Sequence, residues 1–292
     1  MAVKRSLPLQ RGGSFDCIEH IKLTILDCVY NEPQTGRSLY KVLNTSDGLF
    51  YALKVYDLSL NDPGAIRGEM QSMNKLLQRP DLFPRARHYM EADNRGYLRL
   101  DWMEGKTLHD IYPAPPAGPL ELALRLQTLA TLCATLTIVH DSRLVHRDIK
   151  PQNIVLRNPK QPQSGVMLID FGLACARRQQ TEGSSLYQAP EQSGHRHFNL
   201  THAVDIFALG QVGWWLFTGA PLTLYPNEEY SDWDNLEDIQ LGDGSDVLSK
   251  RAYAIARKAL AFQPAKRWAR AADMGYQIKQ LLDEQRRAAG PR

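Results

Sequence analysis

Residues 143–156 read RLVHRDIKPQNIVL. An apolar step is followed by His146, Arg147, Asp148, Lys150 and Asn153, and then by a β-branched apolar run through Val155. Charged groups at the edge of a buried segment are costly unless something pairs them. Such a cluster is either a polar turn before a core strand or a place where chemistry is done, and the rest of the chain decides between them.

The chain of 292 residues is 43% hydrophobic and 23% charged, the composition of an ordinary globular protein long enough to bury a sizeable core. Its net charge of +3 is spread over 35 basic and 32 acidic residues with no long Lys/Arg block, which argues against a dedicated nucleic-acid binder. The four cysteines, Cys17, Cys28, Cys133 and Cys175, form no CxxC pair and fit reduced thiols in a cytosolic protein. The N-terminal MAVKRSLPLQRGGS has no apolar core of a secretory signal. The uncharged stretch from Ile206 to Asn227 loses its apolar character near Phe217, too early to span a bilayer, and reads as a buried core helix.

Along the chain, the first hundred residues are strand-rich. IKLTILDCVY and SLYKVLN flank the turn NEPQTGR, and LFYALKVYD follows a second turn at TSDG, predicting three strands in meander order. NDPGAIRGEMQSMNKLLQR opens on a helix-start signal, and Ile66, Met70, Met73 and Leu77 recur at helical spacing. RARHYMEADNRGYLRLDW predicts a hairpin, and a boundary falls near Met103 to Gly105, before the Pro-rich PAPPAGP. Beyond it the pattern turns helical, with LELALRLQTLATLCATLTIVHD apolar on most sides, the core helix already noted, and a final pair in VLSKRAYAIARKALAF and RAADMGYQIKQLLDEQRR. HRHFNLTH supplies His195, His197 and His202, but with no Cys or carboxylate to complete a metal site it reads as a surface loop.

The opening stretch finds its partners downstream. LIDFGL carries Asp170, Phe171 and Gly172; APEQ carries Ala189, Pro190 and Glu191; and YALKVY carries Lys54 upstream. In order and spacing, HRDIKPQN, DFG and APE, preceded by that lysine, resemble the signature set of eukaryotic-type (Hanks-type) Ser/Thr protein kinases, over about Tyr40 to Leu282. The resemblance implies an α+β, two-lobed fold: a small β-rich N-lobe with one main helix over 1–103 and a larger, mostly helical C-lobe over 104–292, with ATP between them. The style of YQAPEQ resembles bacterial-type kinases or effectors secreted into a host, and the implied location is cytoplasmic.

Phosphoryl transfer spreads charge over the transferred group, so catalysis is mostly positioning and charge neutralisation. The family match implies that Asp148 accepts the proton of the substrate hydroxyl and that Lys150 places a positive charge beside the γ-phosphate. Asp170 and Asn153 would hold Mg²⁺, with Mn²⁺ as a second fit. Lys54 would contact the α- and β-phosphates, held by Glu69, the one acid on the predicted helix at a suitable separation, fifteen residues on. The adenine pocket would be lined by Leu39, Ala52, Leu100 at the gatekeeper position, Met103 of the hinge, Val155 and Ile169. His146 and Phe171 would join the packed column behind DFG, Asp205 would brace the catalytic loop, and Arg267 would partner Glu191. Lys150 after the aspartate points to Ser/Thr rather than Tyr as acceptor, in a protein substrate or in the chain itself. Arg147, Thr181, Ser184 and Ser185 are the implied regulatory residues of the activation segment.

One element departs from the family pattern. Counting back fifteen from Lys54 puts Leu39 at the valine of GxGxxGxV, so the glycines would fall at Glu32, Gln34 and Arg37, and Gly36 alone is nearby. Arg37 or the turn backbone would then have to meet phosphate. The missing glycines also motivate a second reading, a pseudokinase scaffold that uses the fold to bind a partner. Small-molecule phosphotransferases share the Asp…Asn and Asp set but lack an APE segment.

Overall fold

The computed structural model describes residues 9–18, 21–174, 186–192, 200–223 and 247–288. The chain divides into two compact units, Met1–Met103 and Glu104–Arg292.

Among the described residues, the first unit is a six-stranded antiparallel sheet with one helix on it. Strands β1 (Ser14–Ile18), β2 (Ile21–Glu32), β3 (Arg37–Asn44), β4 (Phe50–Asp57), β5 (Ala86–Ala92) and β6 (Arg95–Asp101) lie in the order β1-β2-β3-β4-β6-β5. The three-strand meander expected from sequence is therefore β2, β3 and β4, and the predicted hairpin is β5–β6. β1 escaped notice because SFDCI is too short to display an alternation.

Period-two alternation sorts the sheet residues into two faces. Tyr40, Val42, Leu53, Val55 and Tyr97 build a core on one face with Leu23 and Ile25. On the other face, Leu39 pairs with Lys54 and Lys54 with Leu98, while Ala52 pairs with Leu100, so these side chains project together.

Helix α1 (Pro63–Asn74) starts where chemistry says it should. Asp62 caps it by accepting hydrogen bonds from the Gly64 and Ala65 amides at 3.1 and 3.0 Å, and Pro63 occupies the first turn, where its missing N–H costs nothing. Its buried residues are Ile66, Glu69, Ser72 and Met73, followed by Leu76 just beyond the helix. That corrects the stripe expected from sequence. Leu77 is exposed and Met70 only half-buried, because the helix turns Glu69, a charged residue, toward the sheet to meet Lys54.

The second unit is mostly helical. β7 (Lys106–Thr107), β8 (Ile154–Leu156) and β9 (Val166–Leu168) form a small antiparallel sheet beside the short helix α2 (Leu108–Ile111). Among the described residues four longer helices follow: α3 (Pro119–Asp141), α4 (Ala203–Thr218), α5 (Val247–Ala259) and α6 (Ala271–Ala288). α3 is long and apolar enough to cross a membrane by composition alone, yet most of it is buried within the unit. Its Arg125 is enclosed, bonded to Glu121 and donating to the Leu216 carbonyl of α4 at 2.9 Å. α4 is buried from Val204 to Phe217. Close packing sets its sequence: a Cβ on Gly210 would lie 2.9 Å from atoms of Ala259 and Leu260, so glycine lets α4 meet the end of α5.

Candidate active site

The helical unit holds the segment on which the sequence reading turned. Asp205, in the first turn of α4 and fully buried, accepts hydrogen bonds from the backbone amides of His146 (2.8 Å) and Arg147 (2.7 Å) and contacts His140 Nε2 at 3.0 Å. A buried carboxylate with these donors fixes the start of the loop in place. Burial pushes the Asp205 carboxyl upward. The His140 hydrogen bond and charge and the Arg147 amide outweigh it and hold the pKa below the usual carboxylate value. Arg147 has φ +69°, a left-handed conformation uncommon for a non-glycine residue, and the hydrogen bonds from the His146 and Arg147 amides to Asp205 hold the chain there.

The loop then folds back on Asp148. The Asn153 side-chain nitrogen donates to the Asp148 carboxylate and to the Asp148 carbonyl, both at 2.9 Å, and Lys150 Nζ lies 2.8 Å from the same carboxylate oxygen. Asp148 keeps 11% of its side chain accessible and Lys150 24%, enough to meet a substrate. With the amide nitrogen of Asn153 committed to Asp148, its carbonyl oxygen is the atom it can give a cation.

β9 leads into the second acid. The Ile169 amide donates to the Asn153 carbonyl at 3.0 Å, and His146 Nε2 donates to the Ile169 carbonyl at 3.2 Å, so both backbone groups beside Asp170 are tied to the loop. The His146 and Phe171 rings lie 4.7 Å apart, and both residues are fully buried. Burial pulls the His146 pKa down and keeps the ring neutral, as its role as a packed donor requires. Asp170 has φ +66°, a conformation Asp tolerates better than most residues, and accepts from the Gly172 amide at 3.3 Å. The oxygens of Asn153 and Asp170 are hard donors suited to Mg²⁺.

In the β-rich unit, Lys54 Nζ lies 2.5 Å from Glu69 Oε1, with both side chains more than nine-tenths buried. The sequence assignment of this pair therefore corresponds to a contact. Sequence reasoning missed its third member: Tyr56 Oη donates to Glu69 Oε2 at 2.9 Å. The signal was available, since Tyr56 stands two residues after Lys54 and a strand returns such a residue to the same face. Leu39, Ala52 and Leu100 share that face, Met103 ends the unit, and Val155 and Ile169 belong to the helical unit, on and beside the small sheet.

Further along, Glu191 and Arg267 form a buried pair through two bonds of 2.6 and 2.8 Å. Gln192 is a second residue that sequence reasoning passed over. Its side-chain nitrogen donates to the Arg147 carbonyl at 3.2 Å and its oxygen accepts from the Ala189 amide at 2.9 Å, tying the APE segment to the loop. His202 stacks on His140 at 4.1 Å with the rings parallel, half-buried rather than in the surface loop expected, and no metal-binding cluster occurs among the described residues. Thr181, Ser184 and Ser185, with His195 and His197, lie outside the described residues.

Comparison with known proteins places these features. The serine/threonine-protein kinase PknF of Mycobacterium tuberculosis is 31% identical over 197 residues, 63% of this chain and 40% of that protein. PknB of Mycobacterium leprae is 27% identical over 61% of this chain and 29% of its own, and human DCLK3 28% over 75% and 34%. This chain thus spans less than half the length of these relatives. A crystal structure of the Mycobacterium tuberculosis PknI kinase domain superposes with a TM-score of 0.62 over 94% of this chain and 99% of that one, at 22% identity, a likeness of fold. The sequence model of the protein kinase domain matches residues 35–284. A loop braced by a buried helix acid, a lysine paired to a helix glutamate and a match across most of the sequence lead to one statement: the chain belongs to the protein kinase domain family.

Proposed function

We propose that the protein is an ATP-dependent protein kinase that transfers the γ-phosphate to serine or threonine hydroxyls of protein substrates, its own activation segment among them. The observation that carries this reading is the state of Asp148: its carboxylate is aimed by Asn153 and Lys150 within a loop fixed by Asp205, yet stays partly accessible. A group meant to accept a hydroxyl proton needs that combination of fixed aim and access.

Each residue then has a task set by its surroundings. Asp148 takes a hydrogen bond from the acceptor hydroxyl, aligns it for in-line attack and receives its proton as the new oxygen–phosphorus bond forms and the bond from the γ-phosphorus to the bridging oxygen breaks, releasing ADP. Lys150, at the same carboxylate, places its charge where the transferred group gains negative charge. Lys54 serves the α- and β-phosphates, its position fixed by Glu69. Mg²⁺, when bound, would neutralise phosphate charge, and the Asn153 and Asp170 oxygens are the donors that would hold it, with Mn²⁺ fitting the same set. Leu39, Ala52, Leu100, Met103, Val155 and Ile169 supply apolar surface for the purine. Arg147 would answer a phosphate on Thr181, Ser184 or Ser185. The free thiols of Cys28 and Cys133 support a reducing, cytoplasmic setting.

The test is transfer of label from γ-labelled ATP with Mg²⁺ to the protein and to a generic Ser/Thr substrate, beside D148N and D170N. Label on serine or threonine that both variants lose is the expected result. Its absence from the folded wild-type protein would overturn the proposal in favour of a scaffold.

A further inference from the structure

The β2–β3 turn lacks the glycines of its family, and the structure shows what stands in their place. β2 and β3 pair as far as Glu32 and Arg37, so the turn is residues 33–36. Two of its amides face inward, Thr35 donating to the Glu32 carbonyl at 3.2 Å and Gly36 to the Pro33 carbonyl at 3.3 Å, while Pro33 has no N–H. The turn is also clamped to the end of β4. The Asp57 amide donates to the Gly36 carbonyl at 2.8 Å. The Asn61 side-chain nitrogen donates to the Thr35 and Asp57 carbonyls at 2.9 and 3.0 Å, and its oxygen accepts from Arg37 Nε at 2.8 Å. Asn61 is only 8% exposed, and both ends of its amide are used. Gly36, at φ +65°, lies so close to β4 that a Cβ would come 2.8 Å from Asp57 Cβ. A turn closed this way withdraws the Thr35 and Gly36 amides from any anion, whereas a glycine-rich loop offers its amides outward.

The loss of those amides favours a side-chain donor for phosphate, and strand register singles one out. Arg37 opposes Tyr56, Leu39 opposes Lys54 and Lys41 opposes Ala52, so Arg37, Lys54 and Lys41 all project from the face that carries the Lys54–Glu69 pair. Lys41 stands between the Phe50 and Trp102 rings, 4.7 and 4.6 Å from their centroids, toward the Met103 end. Arg37 stands at the opposite end, beside the turn, with its guanidinium oriented by a buried amide. Arginine's planar fork suits phosphate oxygens. We propose that Arg37 binds the terminal phosphates of the nucleoside triphosphate in place of the glycine amides, with Asn61 as the residue that positions it. This rests on the nucleotide-binding reading above.

Calorimetric titration of the full chain with ATP, ADP and adenosine, in Mg²⁺, separates the two claims. Against wild type, R37A is expected to lose about 10- to 100-fold in ATP affinity, the range for charge-assisted hydrogen bonds, with adenosine affinity unchanged. R37K should recover part of the loss, and N61A should show a smaller loss confined to the phosphate-bearing ligands. The ratio of ATP to adenosine affinity is its own control for folding, and R37K and N61A carry the test where R37A fails to fold. Equal loss for ATP and adenosine, or no loss in any variant while wild type prefers ATP, would overturn the role of Arg37 and leave nucleotide binding standing. A wild-type protein that binds none of the three would overturn both.

Discussion

Replacing Glu191 with glutamine removes the charge that balances Arg267 while keeping side-chain volume. Arg267 has five N–H donors, and each meets an acceptor: Nε the Ala261 carbonyl at 2.8 Å, one terminal nitrogen Glu191 at 2.6 Å and the Ala203 carbonyl at 2.8 Å, the other Glu191 at 2.8 Å and the Phe262 carbonyl at 3.0 Å. Neither side chain has appreciable access to water, at 0% and 3% exposure, so hydration cannot replace what is lost. E191Q weakens two charge-assisted bonds and leaves a buried cation unpaired, a cost of about 3–5 kcal/mol. R267A should cost at least as much, because it strands the carboxylate and three carbonyls together. An apolar pair, E191L/R267M, should be less destabilised than the sum of its single changes, since no charge is then left alone. Urea unfolding followed by tryptophan fluorescence reads this directly, as Trp214 and Trp215 are buried in α4 of the same unit. A loss below about 1 kcal/mol for E191Q, or strict additivity in the double variant, would refute the claim that the pair is a desolvated clamp between the APE segment and the helices.

Other consequences follow from single contacts. Y56F removes one of the two groups that hold Glu69, and the expected result is a several-fold fall in kcat in the transfer assay with little change in thermal stability; Y56A matching Y56F would agree, and an unchanged kcat would not. His146 and His202 both have pKa values drawn below the ordinary value, His146 by burial and His202 by burial and then by the charge of His140. The unfolded chain therefore binds more protons than the folded one below about pH 6.5, so their contribution is fully present above that pH and is lost as pH falls through the folded pKa. The urea midpoint should drop between pH 7.5 and 5.5, and less steeply in H202Q; a flat profile would count against it. Burial pushes the Cys133 thiol up to about 12, whereas Cys28 is exposed. Peptide mapping after brief iodoacetamide treatment of the native protein should find Cys28 alkylated and Cys133 intact, and equal labelling would contradict the packing of α3.

What the sequence made legible was what lies close together along the chain. Asp148, Lys150 and Asn153 fall within one loop, and their mutual contacts follow from a short turn that leaves them nowhere else to go. The Lys54–Glu69 pair was within reach because a strand and the next helix are adjacent in sequence and one acid suited the separation. Tyr56 was within reach of the same reasoning, two residues after Lys54 on one strand face, whereas Asn61 and Gln192 each act through a contact that only folding creates: a turn folded onto a strand end and a segment returned to a loop. The helix stripe misled for the opposite reason. Hydrophobicity placed Met70 and Leu77 inward, but the ion pair with Lys54 set the rotation, and a buried charge outweighs one apolar side chain.

In the proposed reaction Asp148 aims and deprotonates an attacking hydroxyl rather than holding the fold together. The most direct test of that role measures two quantities on one variant: the transfer rate and the Mg²⁺–ATP affinity of D148N. D148N should transfer about 10²- to 10⁴-fold more slowly, the usual worth of a positioned base, with nucleotide affinity and unfolding midpoint close to wild type. Transfer that persists in D148N at the wild-type rate, or a loss of transfer that merely tracks a loss of folding, would contradict it.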